Sequence, residues 1–299
     1  MHQPIQLHFT TGNTWVLNFC LAVIMFGVAL QLKTDDFKRL SKTPRTAMAG
    51  LVAQFLALPA ITYLLVLVIN PSPAMALGLI LVSVCPGGNI SNFMSSLAGG
   101  NVALSVGLTA AGSFLSVFLT PLNLQWWGSL YAPASALLRE VEVSFSEVFI
   151  TIFLIAGIPL MFGMLINHRY PLAAKKISRW LKPVSVLLFI GFVVVAFAQN
   201  TDVFLNYIHL IFFVVLVHNA LAFTTGYWVA KIGRAGYTDQ RTIAIETGIQ
   251  NSGLGLVLIF SFFNGLGEMA LVAGWWGIWH IVSGLGLSYY WSRNPAPAV

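Results

Sequence analysis

Charge is what this sequence has least of. Of its 299 residues, 15 are Lys or Arg and 9 are Asp or Glu, together 8%. A soluble domain carries about 25% charged residues, so there is too little here to coat a surface that faces water. The shortage excludes a soluble enzyme, a nucleic-acid-binding protein and a disordered chain. Cysteine is scarce too. Cys20 and Cys85 each lie inside an apolar run, which excludes a disulfide framework and a thiolate metal site. No Lys or Arg precedes the first apolar run and no small-residue cleavage site follows it, so that run is not expected to be a signal peptide. What abounds is apolar side chain, 58% of the residues. The pattern is that of an all-α, polytopic membrane protein. At roughly 20 residues per span, the length allows about nine to eleven crossings.

Nine apolar runs can be read: 15–32, 46–69, 73–100, 102–127, 145–166, 183–198, 205–230, 238–263 and 269–291. Charge tests the count, because loops rich in Lys and Arg stay cytoplasmic. With the N-terminus outside and the C-terminus cytoplasmic, 14 of the 15 basic residues fall inside, the exception being Arg139. They cluster at Lys33–Arg45, Arg169–Lys182, Lys231–Arg241 and Arg293. The outside segments hold Glu140, Glu142, Glu147, Asp202 and Glu268. A multi-pass protein of the cell membrane in that orientation is expected.

The third and eighth runs are interrupted, by CPGGNISN (85–92) and ETGIQNSG (246–253). Pro removes an amide donor and Gly loosens the backbone. At membrane depth such backbone survives only when buried in protein or lining a cavity. Glu246 is the one acidic residue expected inside the bilayer, where an unpaired carboxylate costs at least about 2.5–3.5 kcal/mol. A structural reading is available, in which Asn and Gln simply join kinked helices to their neighbours. The positions argue for more. Five spans separate the two breaks, so one is entered from outside and the other from inside. Spans two to four then correspond to seven to nine, and span one to six, with span five unpartnered. That is an inverted repeat lacking one helix, and paired interrupted segments point to a transporter's binding site.

The motifs PGGNISN (86–92), NVALSVGLT (101–109), VHN (217–219), ETGIQNSG (246–253) and WH (279–280) resemble the bile acid:sodium symporter family. The resemblance spans nearly the whole chain, and the forms at Asn89 and 246–251 look more like animal members. It implies a single transporter unit with two crossing broken helices. A panel domain would comprise 15–32 and 145–198, and a core domain 46–127 and 205–291. It implies a first sodium site at Ser91, Asn92, Ser105, Thr109 and Glu246. A second would use Gln54, Glu246 and Gln250 with the carbonyls of Thr247 and Ile249. The substrate region would include Asn89, Ser252, His280 and Ile281. Ile281 stands where bacterial members often have Asn, so substrate identity does not carry over.

The expected activity is sodium-coupled symport of an organic anion, a bile-acid-like or other amphipathic carboxylate or sulfonate, by alternating access. Sodium is the coupling ion, and no other cofactor and no nucleic-acid partner is expected. Sodium-free alternatives are a proton-coupled or exchange carrier using Glu246, or a channel. An intramembrane enzyme is disfavoured because HExxH, paired membrane aspartates and a plausible Ser/His pair are missing.

Overall fold

The computed structural model describes residues 11–142, 144–198 and 201–294. Among these the structure is helical, with no named strand. That is what chain in hydrocarbon requires, since a helix satisfies its own backbone groups. Five helical stretches are long and apolar enough to cross a membrane: Pro44–Ile69, Val102–Leu130, Phe145–Arg169, Ile211–Ile232 and Gly267–Arg293. Trp15–Ala29, Pro73–Val84 and Ser252–Phe262 are shorter apolar helices. Many large apolar side chains face outward, among them Val68 at 83% and Phe19 at 67% exposure. On a soluble monomer such patches would be interaction or aggregation sites. Here they suit lipid.

Helix α1 spans Thr11–Ala29 and is followed by a short helix α2, Thr34–Lys42. Helices α3 (Pro44–Val52) and α4 (Leu58–Ile69) form one rod joined by a π-turn at Ala53–Ala57. The cause is Pro59. It has no N–H to give the Phe55 carbonyl and its ring crowds that position. The helix widens ahead of it, and the Leu58 N–H reaches the Ala53 carbonyl instead. The same device recurs between α9 (Phe145–Ile152) and α10 (Ile158–Arg169), where a π-turn at Phe153–Gly157 precedes Pro159.

The third apolar run is split into α5 (Pro73–Val84) and α6 (Ile90–Leu97), and the eighth into α13 (Tyr237–Gly248) and α14 (Ser252–Phe262). The first half α5 ends just before its polar motif, whereas α13 runs three residues into its own and so carries Glu246 in its last turn. Between α6 and α13 lie α7 (Val102–Leu130), α8 (Ala132–Glu140), α9, α10, α11 (Pro171–Ala198) and α12 (Thr201–Ile232). Helix α15 (Gly267–Arg293) closes the chain. Four helix starts are capped by their own sequence: Ser72 accepts from Met75 N at 3.2 Å, Asn101 from Leu104 N at 3.1 Å, Ser144 from Glu147 N at 3.2 Å and Asn251 from Leu254 N at 3.1 Å.

The broken helices are sheltered by protein. Every residue of α5 from Ala76 to Val84 is buried, as is every residue of α14 from Ser252 to Phe260. Helices α7 and α15 pack on α5, and α1 and α15 on α14. Helices α1, α10 and α11 pack on one another.

Two elements depart from the expectation of plain loops. Helix α2 lies against α7, with Leu40 Cδ1 close to Gly107. Helix α8 packs on α5 and α7 through buried Ala134 and Leu138. Arg241 also differs from a solvated loop charge. It is 1% exposed in α13, donating to the carbonyls of Ala98 at 2.8 Å, Trp291 at 3.0 Å and Asn294. Those oxygens lie at the C-terminal ends of α6 and α15, where a cation is favourable.

Candidate ion site at the crossing

The two breaks meet. Gly87 and Gln250 form an isolated antiparallel bridge. Gly88 N–H donates to the Ile249 carbonyl at 2.7 Å, and Asn251 N–H to the Pro86 carbonyl at 2.9 Å. Each unwound segment thereby satisfies part of the other's backbone, which lipid cannot do. Glycine makes the approach possible. A Cβ on Gly87 would lie 2.9 Å from Glu246 Oε2, and one on Gly88 3.0 Å from the Gln250 carbonyl oxygen.

At this crossing Glu246, in the last turn of α13, is 6% exposed. Three hydroxyls donate to it: Ser91 and Ser105 to Oε1 at 2.5 Å each, and Thr109 to Oε1 at 3.0 Å and Oε2 at 3.1 Å. Ser91 comes from the first turn of α6. Ser105 and Thr109 are one turn apart on α7, so both face the same way. Thr109 also reaches Asn92 Oδ1 at 3.3 Å. The five residues assigned to a first sodium site thus stand together as an all-oxygen group. The hydrogen-bond partners of the carboxylate are thus hydroxyls rather than cationic side chains.

That composition suits a hard monovalent cation. Hard cations take oxygen ligands, and each hydroxyl oxygen keeps lone pairs besides its proton. No three His, Cys, Asp or Glu gather among the described residues, so the group offers one negative charge and otherwise neutral oxygens.

The second set divides differently. Gln54, in the π-turn before Pro59, donates to the Cys85 carbonyl at 2.7 Å and to Gln250 Oε1 at 3.1 Å. Gln250 returns a bond to Gln54 Oε1 at 3.2 Å and donates to the Thr247 carbonyl at 2.7 Å. The two amides pair with each other, while the hydrogen bonds of Glu246 go to the hydroxyl group. Gly87 stands between the sets, its Cβ position 3.2 Å from the Glu246 carbonyl and 3.7 Å from that of Ile249.

The residues expected near substrate are placed as follows. Asn89 immediately precedes α6. Ser252 opens α14, buried, with its hydroxyl unpartnered, and His280 is buried on α15 with Nδ1 unpartnered. Ile281 packs on an apolar cluster that includes Met94, Phe223 and Ile249. Sequence reasoning passed over several supporting residues. Thr62 bonds His218 Nε2 at 2.6 Å, and Thr120 donates to the Val84 carbonyl at 2.7 Å, capping the end of α5. Asn219 and Ser283 form a chain from the Gly248 carbonyl (2.8 Å) through Asn219 to the Ser283 hydroxyl (2.5 Å). A hydroxyl within an apolar helix was the available signal for Thr62 and Thr120.

Residues 18–207 match the sodium bile acid symporter family. The chain belongs to that family. Relatives of this symporter-family chain include an uncharacterized sodium-dependent transporter of Bacillus subtilis, 34% identical over 96% of this chain and 87% of the relative. A probable sodium/metabolite cotransporter of Oryza sativa chloroplasts is 31% identical over 93% of this chain and 64% of its own length. The human sodium-dependent organic anion transporter is 27% identical over 84% of this chain and 64% of its own. The local likeness to animal members does not extend along the chain, where the bacterial relative is the more similar. Members of this family are transporters rather than enzymes, and the chain is a multi-pass membrane protein.

Proposed function

We propose that this protein is a sodium-coupled symporter of an organic anion, working by alternating access. The observation that carries the reading is the buried carboxylate of Glu246, ringed by the hydroxyls of Ser91, Ser105 and Thr109 at the point where two broken helices cross. With Asn92 these form the first sodium site. The second uses Gln54, Glu246 and Gln250 with the carbonyls of Thr247 and Ile249. Each of those carbonyls takes one hydrogen bond and keeps a lone pair for a cation.

The architecture proposed with it has nine spans, with α1, α11 and the two broken pairs joining the five long helices. The N-terminus is outside. Spans two to four repeat as seven to nine in inverted orientation. Helices α1 and α9–α11 form a panel, and the remaining spans form a core that moves against it. The charge sum favours an anionic substrate. Two Na+ and one carboxylate leave +1, which a monoanion cancels, and a neutral core crosses a low-dielectric barrier more cheaply than a charged one. The N-termini of α6 and α14 add positive dipole ends. Asn89, Ser252, His280 and Ile281 belong to the substrate region, and the unpartnered polar atoms of Ser252 and His280 are suited to meet a ligand there.

A thermal-shift screen of organic anions, with Na+ and with choline in its place, tests the reading. An anion that stabilises only in Na+ supports it. Uptake driven by a proton gradient and indifferent to Na+ at fixed pH would replace it with a proton-coupled carrier using Glu246.

A further inference from the structure

Away from the crossing, the ends of α1, α10 and α11 enclose a cleft of about 530 Å³, lined in part by Leu30, Lys33, Asn167, Leu172, Lys175 and Arg179. Three of its residues are cations and none carries a carboxylate. Lys175 and Arg179 are four apart on α11 and project from one face. The acidic residues of the neighbouring α2 lie on the Lys33 side, where Asp36 accepts from the Lys33 backbone N–H at 2.8 Å and Asp35 pairs with Lys38 Nζ at 3.1 Å, so the uncompensated positive charge of the cleft rests on Lys175 and Arg179. The start of α11 also lies at the cleft, and its free N–H groups favour an anion. Asn167 Nδ2 donates to the Leu32 carbonyl at 2.7 Å, so the rim joining α10 to α1 is fixed rather than loose.

The surroundings say what kind of anion fits. Leu172 is 86% exposed at the cleft, and Tyr170 and Trp180, next in sequence to the lining residues Pro171 and Arg179, are 67% and 71% exposed. Exposed aromatics of this kind sit at the boundary between hydrocarbon and headgroups. A soluble anion needs no apolar surface beside its charge partners, whereas a lipid needs both. We propose that this cleft binds the phosphate headgroup of an anionic phospholipid, with an acyl chain lying along Leu172. Basic pockets between helices at a membrane surface recognise such headgroups. The proposed N-out orientation puts the site in the cytoplasmic leaflet; binding itself does not depend on that orientation.

The test uses purified full-length protein in detergent, with dioleoylphosphatidylglycerol and dioleoylphosphatidylcholine offered in equal amounts and retention read by native mass spectrometry. Detergent has no sides, so the result stands apart from topology and from transport. The wild type is expected to retain phosphatidylglycerol in preference. The double variant Lys175→Ala/Arg179→Ala is expected to bind it about 30-fold more weakly, at about fivefold per cation. Both side chains are exposed, so the variant folds, and Lys42→Ala/Arg45→Ala controls for lost charge. Preference unchanged in the first variant, or lost equally in the control, overturns the site. Displacement of the lipid by inorganic phosphate would overturn the lipid assignment in favour of a soluble anion.

Discussion

Glu246 accepts three hydroxyl hydrogen bonds from two helices, α6 and α7, and is shared by both proposed sodium sites, so its charge is the most consequential in the molecule. Glu246→Gln keeps the size and one accepting oxygen. It should leave a folded protein whose sodium-driven uptake falls to background, as measured in proteoliposomes. Asn92→Ala, Gln54→Ala and Gln250→Ala each remove one of about five or six oxygens from a site. Each should raise the sodium concentration for half-maximal thermal stabilisation without abolishing it; unchanged values in all three would refute the ligand sets. Glu140→Gln, at the end of α8, should leave both measurements alone. Ser105→Ala removes a donor to a buried carboxylate and should lower stability by about 1.5–3 kcal/mol, read as a fall in Tm in sodium-free buffer.

The crossing depends on two backbones meeting without side chains between them. Gly88→Val would drive atoms into the Gln250 carbonyl, 3.0 Å from the Cβ position. Overpacking of that kind costs about 1–3 kcal/mol, so a lower Tm and loss of sodium stabilisation are expected together. Pro59 acts at a distance. Removing it in Pro59→Ala lets α3 and α4 run as a regular helix and turns Gln54 away from Gln250. Sodium affinity should fall although Pro59 touches no ion, and titrating sodium against Tm checks this. The interruptions themselves were legible because Pro, Gly, Asn and Glu stand out in apolar runs. The hydroxyl group around Glu246 was legible only through family resemblance, since Ser91, Ser105 and Glu246 are far apart in sequence. Helices α2 and α8 were not legible, because each has nine residues, too few to display periodicity. The burial of Arg241 was not legible, because it depends on carbonyls from α6 and α15 that are far away in sequence. Pro59 and Pro159 were visible, but their effect on helix width appears only in three dimensions.

For the molecule as a whole, the sum of transported charge decides how it responds to voltage. Glu246 returns with the core, so only the ions and the substrate count. Two Na+ entering with a monoanion carry one net positive charge per cycle, worth about 2.3 kcal/mol per 100 mV. Uptake should accelerate when a valinomycin–potassium diffusion potential makes the vesicle interior negative, and voltage-independent uptake of a proven monoanion would reduce the stoichiometry to one sodium. A more direct measurement needs no substrate. Purified protein can be titrated with radioactive sodium in a scintillation proximity assay, beside Glu246→Gln, at constant ionic strength in choline. The account predicts saturable sodium binding by the wild type and none by the variant. Equal binding by both, or no saturable binding by a folded wild type, would contradict the claim that Glu246 and its hydroxyls form a sodium site.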